Sequence, residues 1–138
     1  MIKSMLAVGL SEQDRGRTQE ILAPRGWGIR EIAGYLPLAE QLRRHRFAAV
    51  LCESELIDGT WRDVLEELTT QAPAPPLIVT SFLADASLWA EVLNCGGFDV
   101  VRVPFEAEEL ARVVALASEG NRPVRTGRSR SAALACVD

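Results

Sequence analysis

Phe47-Ala48-Ala49-Val50-Leu51-Cys52 is an apolar run that enters an acidic loop, Glu53-Ser54-Glu55-Leu56-Ile57-Asp58-Gly59. Short, continuous and without polar alternation, such a run suits a strand covered on both faces. The loop after it gathers three carboxylates and closes on a glycine. A second stretch repeats the plan: Asp99-Val100-Val101-Arg102-Val103-Pro104-Phe105 leads straight into the acidic helix start Glu106-Ala107-Glu108-Glu109. Each reads as a buried strand that ends at a site-forming loop.

Working outward, Ser4 to Leu10 is another buried-strand run. Ser11, with Asp14 three residues on, offers a cap for the helix that follows, and Glu12 and Asp14 suit its positive end. That helix should stop near Pro24, and Gly26-Trp27-Gly28 punctuates before a short strand from Gly28 to Ile32. Leu38 and Leu42 share one helix face, with Glu40, Arg43, Arg44 and Arg46 on the others. Thr60 and Trp61 open a helix with Val64, Leu65 and Leu68 on one side. The prolines of Gln71-Ala72-Pro73-Ala74-Pro75-Pro76 prevent its continuation. Leu77 to Ser81 is a fourth strand. A helix pairing Leu88 with Val92 and Trp89 with Leu93 follows, stopping at Asn94-Cys95-Gly96-Gly97. Phe98 to Val103 is the fifth strand, and Glu106 to Ser118 the last helix, with Leu110, Val113, Val114 and Ala117 inward. Five strand–helix alternations with apolar strands predict an α/β fold, a doubly wound five-stranded parallel sheet with helices on both faces. Its functional crevice belongs at the carboxyl ends of the strands.

The 138 residues are expected to form one domain over 1–119 and a basic, flexible tail over 120–138. The net charge is −4. From Gly120 onward Arg122, Arg125, Arg128 and Arg130 face only Asp138, a net of +3, which leaves −7 on the rest. An acidic body excludes a general polyanion binder, so a nucleic-acid contact is expected only weakly and only through the Arg122–Arg130 tail. A short helix around Ala132 to Cys136 is the one regular element that the tail allows. Cys52, Cys95 and Cys136 lack metal-ligand spacing, and His45 is the sole histidine, so no zinc centre is expected. The first ten residues are too short an apolar stretch for a signal peptide or membrane span, and a reduced, cytoplasmic protein is the expectation.

Leu56-Ile57-Asp58-Gly59 and Val103-Pro104-Phe105, set after the third and fifth strands, resemble motifs of response-regulator receiver domains. The first is similar to the family's Leu-Pro-Asp-Gly loop and the second to its Lys-Pro-Phe. The resemblance covers about Met5 to Glu119. It implies a CheY-like, flavodoxin-like fold and a site where two acids and a phosphoacceptor aspartate hold magnesium. A hydroxyl residue after the fourth strand and a lysine before a proline, usually in a cis bond, complete that site. In this chain those positions are Gly9 and Leu10, Glu53, Ser81, and Val103 before Pro104. Only Ser81 keeps the expected type, so the sequence reads as a degenerate receiver without catalytic residues or metal ligands, its magnesium site lost. The family's usual contact surface would fall on Trp89, Val100, Glu106, Glu109 and Arg112, with Val100 where an aromatic switch residue is common.

The expected role is a signalling module of a two-component or phosphorelay system that works by phosphorylation-independent protein contact. A histidine kinase, another regulator or a second copy would be the partner. Two alternatives stay open. One is a small-molecule sensor using the crevice vacated at Gly9, Leu10 and Val103. The other is a regulator still phosphorylated on a non-standard acid, Glu53 or Asp58. For Asp58 the simpler expectation is support of the turn beside Gly59. No Gly-x-Gly-x-x-Gly or Walker loop follows the first strand, and no nucleophile–base set can be assembled, so an enzyme is not expected.

Overall fold

The computed structural model describes residues 3–120, so the expectations for the tail lie outside the described residues. Its elements run β1 (Lys3–Val8), α1 (Glu12–Leu22), β2 (Trp27–Ile32), α2 (Leu38–Arg44), β3 (Ala49–Glu53), β4 (Glu55–Leu56), β5 (Gly59–Thr60), α3 (Trp61–Leu68), β6 (Leu77–Ser81), α4 (Ala86–Cys95), β7 (Asp99–Arg102) and α5 (Ala107–Ser118). The main sheet has strand order β2-β1-β3-β6-β7, and all four of its ladders are parallel. The doubly wound parallel α/β fold expected from the sequence is the observed one.

Alternation along the central strands divides the core into two layers. Met5, Ala7, Ala49, Leu51, Ile78 and Val101 face α1 and α5, where Ile21, Leu110, Val113 and Val114 close the layer. Leu6, Val8, Val50, Cys52, Leu77 and Val79 face the other way, toward Leu38, Trp61, Val64 and Val92 on α2, α3 and α4. Every central strand is therefore apolar on both faces, which is why its sequence shows no alternation.

Caps set the helix starts. Ser11 Oγ accepts from Asp14 N (3.1 Å), and Asp85 Oδ1 accepts from Leu88 N (2.9 Å). Both Glu106 carboxylate oxygens accept backbone N–H groups at the start of α5, from Glu108 and Glu109. Thr60 and Asp63 form a reciprocal capping box on α3. At the end of α4 Gly96 takes φ +106°, the left-handed conformation that glycine adopts without a Cβ penalty. The two-residue strands β4 and β5 form a small antiparallel hairpin that the sequence did not announce.

Candidate functional site

The loops at the carboxyl ends of β1, β3, β6 and β7 meet around Glu53. Glu53 ends β3 on the side that Leu51 contributes to the α1/α5 layer, and it is half-buried. One carboxylate oxygen accepts from Thr80 Oγ1 (3.2 Å), the other from Ser54 Oγ (3.4 Å). Burial pushes its pKa above the usual carboxylate range. The hydrogen bonds from Thr80 and Ser54 pull the other way, and the charge of Asp14 adds to the rise. No Lys or Arg contributes to that balance, and no ion pair reaches Glu53 among the described residues.

At the end of β6, Thr80 and not Ser81 supplies the hydroxyl that meets Glu53. The β3–β6 register sets Glu53 beside Thr80, and the two side chains share a sheet face. Ser81 continues the opposite parity of Leu77 and Val79, and its Oγ accepts from Leu83 N (3.1 Å), closing the turn after β6. Thr80 and Ser54 are site residues that motif reading passed over. The parity of Glu53 with Leu51 and of Thr80 with Ile78 carries the signal, but only once the register is known.

Gly9 and Leu10 follow β1. Gly9 has φ +73°, and its N–H donates to Ile32 O (2.9 Å). A Cβ there would lie 2.3 Å from Leu56 Cδ2, so the leucine of the β4–β5 hairpin occupies the space that a side chain at position 9 would need. Leu10 is buried in the α1/α5 layer, and so is Val103. The Val103–Pro104 peptide is cis, and Val103 N donates to Ser81 O (3.2 Å). Arg102, one residue before, is exposed and is not part of the buried layer. Among the described residues no group of three or more His, Cys, Asp or Glu side chains is arranged to hold a metal ion.

Asp58 is fully engaged elsewhere. Its Oδ1 accepts from Tyr35 N (3.0 Å) and its Oδ2 from Leu36 N (3.1 Å), which clamps the β2–α2 loop against the hairpin. Gly34 makes room for this, since a Cβ there would meet both carboxylate oxygens at 2.5 Å.

Of the residues expected on a contact surface, Glu106 and Arg112 are exposed, while Trp89, Val100 and Glu109 are half-covered. Val100 packs against the α2/α3/α4 layer, and Glu106 is committed to capping α5. His45 packs obliquely on Phe47 with ring centroids 5.9 Å apart, at the amino end of the sheet and remote from Glu53. Cavities of about 630, 420 and 240 Å³ all open at that amino end, and none has Gly9, Leu10 or Val103 in its lining. No helix among the described residues is long and apolar enough to cross a membrane.

No family model matches the chain, and no curated protein does. Solved structures match over nearly all of the described fold. A putative response regulator from Chloroflexus aurantiacus superposes with a TM-score of 0.79 at 17% identity, covering 86% of this chain and 99% of that one. The signal receiver domain of an HD-domain-containing protein from Pseudomonas fluorescens gives 0.76 at 20% identity, covering 87% and 97%. The receiver domain of a sensor histidine kinase from Pseudomonas aeruginosa, solved with magnesium coordinated in its active-site cleft, gives 0.75 at 19%, covering 86% and 99%. By strand order, layer structure and these superpositions, the chain has the fold of a response-regulator receiver domain.

Proposed function

We propose that the chain is a receiver-like signalling module that acts by protein contact, without magnesium-dependent phosphoryl transfer. One observation carries this reading: Leu56 fills the space beside Gly9 where the receiver fold would need an acidic side chain. Magnesium, the ion that the fold implies, takes several hard oxygen donors in near-octahedral geometry. Gly9, Leu10 and Val103 supply no side-chain oxygen, so the residues present do not fit that ion. Val103 also leaves no cation to balance charge on a transferred phosphoryl group. Glu53, half-buried and hydrogen-bonded by Thr80 and Ser54, is a structural end to β3 in this reading, not an acceptor.

The partner surface is the one around Trp89, Val100, Glu106, Glu109 and Arg112, and the partner is a histidine kinase, another regulator or a second copy, within a two-component type of pathway in the cytoplasm. No observation favours a small-molecule sensor at the former acidic crevice.

Thermal unfolding in magnesium plus beryllofluoride, a mimic of the acyl phosphate, tests the reading. The melting temperature should stay unchanged, because a ligand that finds no site stabilises nothing. A rise that disappears in Glu53→Gln would show a working phosphoacceptor pocket and overturn it.

A further inference from the structure

The two ends of the sheet carry opposite chemistry. Leu36, Ile57, Phe82 and Leu83 are the exposed large apolar side chains among the described residues, each 72–86% exposed. All four stand at the carboxyl ends of the strands: Leu36 after β2, Ile57 at the tip of the β4–β5 hairpin, Phe82 and Leu83 after β6. Asp58 binds the Leu36 N–H and so ties the first two loops together. The three loops that bear these side chains also hold Glu53, Glu55, Asp58 and Asp85, and they contain no lysine or arginine.

The amino ends of the same two strands, β3 and β6, border the cleft of about 630 Å³. Arg43, Arg44 and Arg46 line one side, Pro75 and Pro76 the other, with Phe47 between and no acid in the lining. Arg43 and Arg44 share the single carboxylate of Glu40. Arg46 has no ion pair among the described residues.

We infer that the acidic, apolar carboxyl end of one copy seats in the cationic cleft at the amino end of a second copy. Charge decides the pairing. Two sets of these three loops face to face would oppose acids, with Arg102 at the end of β7 as the exposed cation beside them, and two clefts would oppose arginines with no acid in their lining. Unlike ends are the more complementary pair. Large apolar side chains scattered singly over a surface are ordinary, but four of them, each mostly exposed, at one end of the sheet suit an interaction surface. Because the surfaces lie at opposite ends of β3 and β6, the contact is heterologous. Each added copy leaves one free end, so the assembly extends as a chain unless its rotation closes a ring.

The test is the mass of the full chain by light scattering across concentration and salt, for wild type and two double variants. Ile57→Asp/Phe82→Asp removes the apolar end, and Arg44→Glu/Arg46→Glu removes the cleft. Wild type should grow beyond a dimer with concentration at low salt and shrink as salt screens the ends. Each variant alone should be monomeric and still unfold in one cooperative thermal transition. An equimolar mixture of the two should form a one-to-one dimer and nothing larger, since it retains one intact end of each kind. A monomeric wild type, association surviving in either variant alone, or a mixture that stays monomeric would each overturn the inference. Loss only in the Ile57/Phe82 variant would assign that patch to like-with-like pairing or to another partner instead.

Discussion

Glu53 has a raised pKa because burial disfavours its charged form, and that has a consequence for stability. A carboxyl whose pKa is higher folded than unfolded favours the native state most when it is protonated. Its charge costs stability as pH climbs from the unfolded pKa through the folded one and above. Glu53→Gln should therefore raise stability at neutral pH, by less than about 1 kcal/mol because the group is half-solvated. The gain should vanish below the unfolded pKa, and denaturant melts at several pH values would read it. Asp58 is the opposite case, a carboxylate that holds two backbone N–H groups of the neighbouring loop. Asp58→Ala should cost about 1–3 kcal/mol in the same assay. An unchanged midpoint would mean that the clamp contributes nothing. Asp58 was expected to support the turn beside Gly59, but both its oxygens accept from a loop 22 and 23 residues earlier, a partner that local sequence does not reveal.

At the scale of elements, the five main strands and five helices were legible because apolar runs, caps and punctuating residues agree with one another. Leu77–Ser81 was read to the residue, and Gly96 stops α4 where the glycine pair suggested. The differences sit at strand ends. Leu10 and Phe47, read as strand residues, flank β1 and β3 because apolar residues in the adjoining loops are buried too. The β4–β5 hairpin escaped notice because two-residue strands have no period to detect. It matters most for the site, since it delivers Leu56 onto Gly9. Gly9→Ala should destabilise the fold by roughly 1–3 kcal/mol, from overpacking and a strained φ. Combining it with Leu56→Ala should recover part of that loss, a non-additivity that double-mutant melts would measure. Simple additivity would show that Leu56 and position 9 do not compete for space. For α3, Thr60→Ala removes the side-chain half of the capping box and should cost about 1 kcal/mol.

For the whole molecule, the sequence conveyed the topology and the carboxyl-end position of the candidate site. It conveyed less of the site's interior, because the decisive contacts join residues that only the sheet register brings together. Thr80 reaches Glu53 across the β3–β6 ladder, and Leu56 reaches Gly9 across the β1–β3 pair. Motif alignment pointed to Ser81 by its place in the chain, while strand parity turns Ser81 away and Thr80 inward. The apolar cluster at the carboxyl end is likewise invisible along the chain, since Leu36, Ile57, Phe82 and Leu83 come from three separate loops. The proposed contact-only function requires that neither Glu53 nor Asp58 accepts a phosphoryl group. Intact mass after incubation with a small-molecule phosphodonor and magnesium reads this, with Glu53→Gln and Asp58→Asn alongside. No added phosphoryl mass is expected in any of the three proteins. Incorporation into the wild type that is lost in one variant would contradict that function and identify the accepting residue.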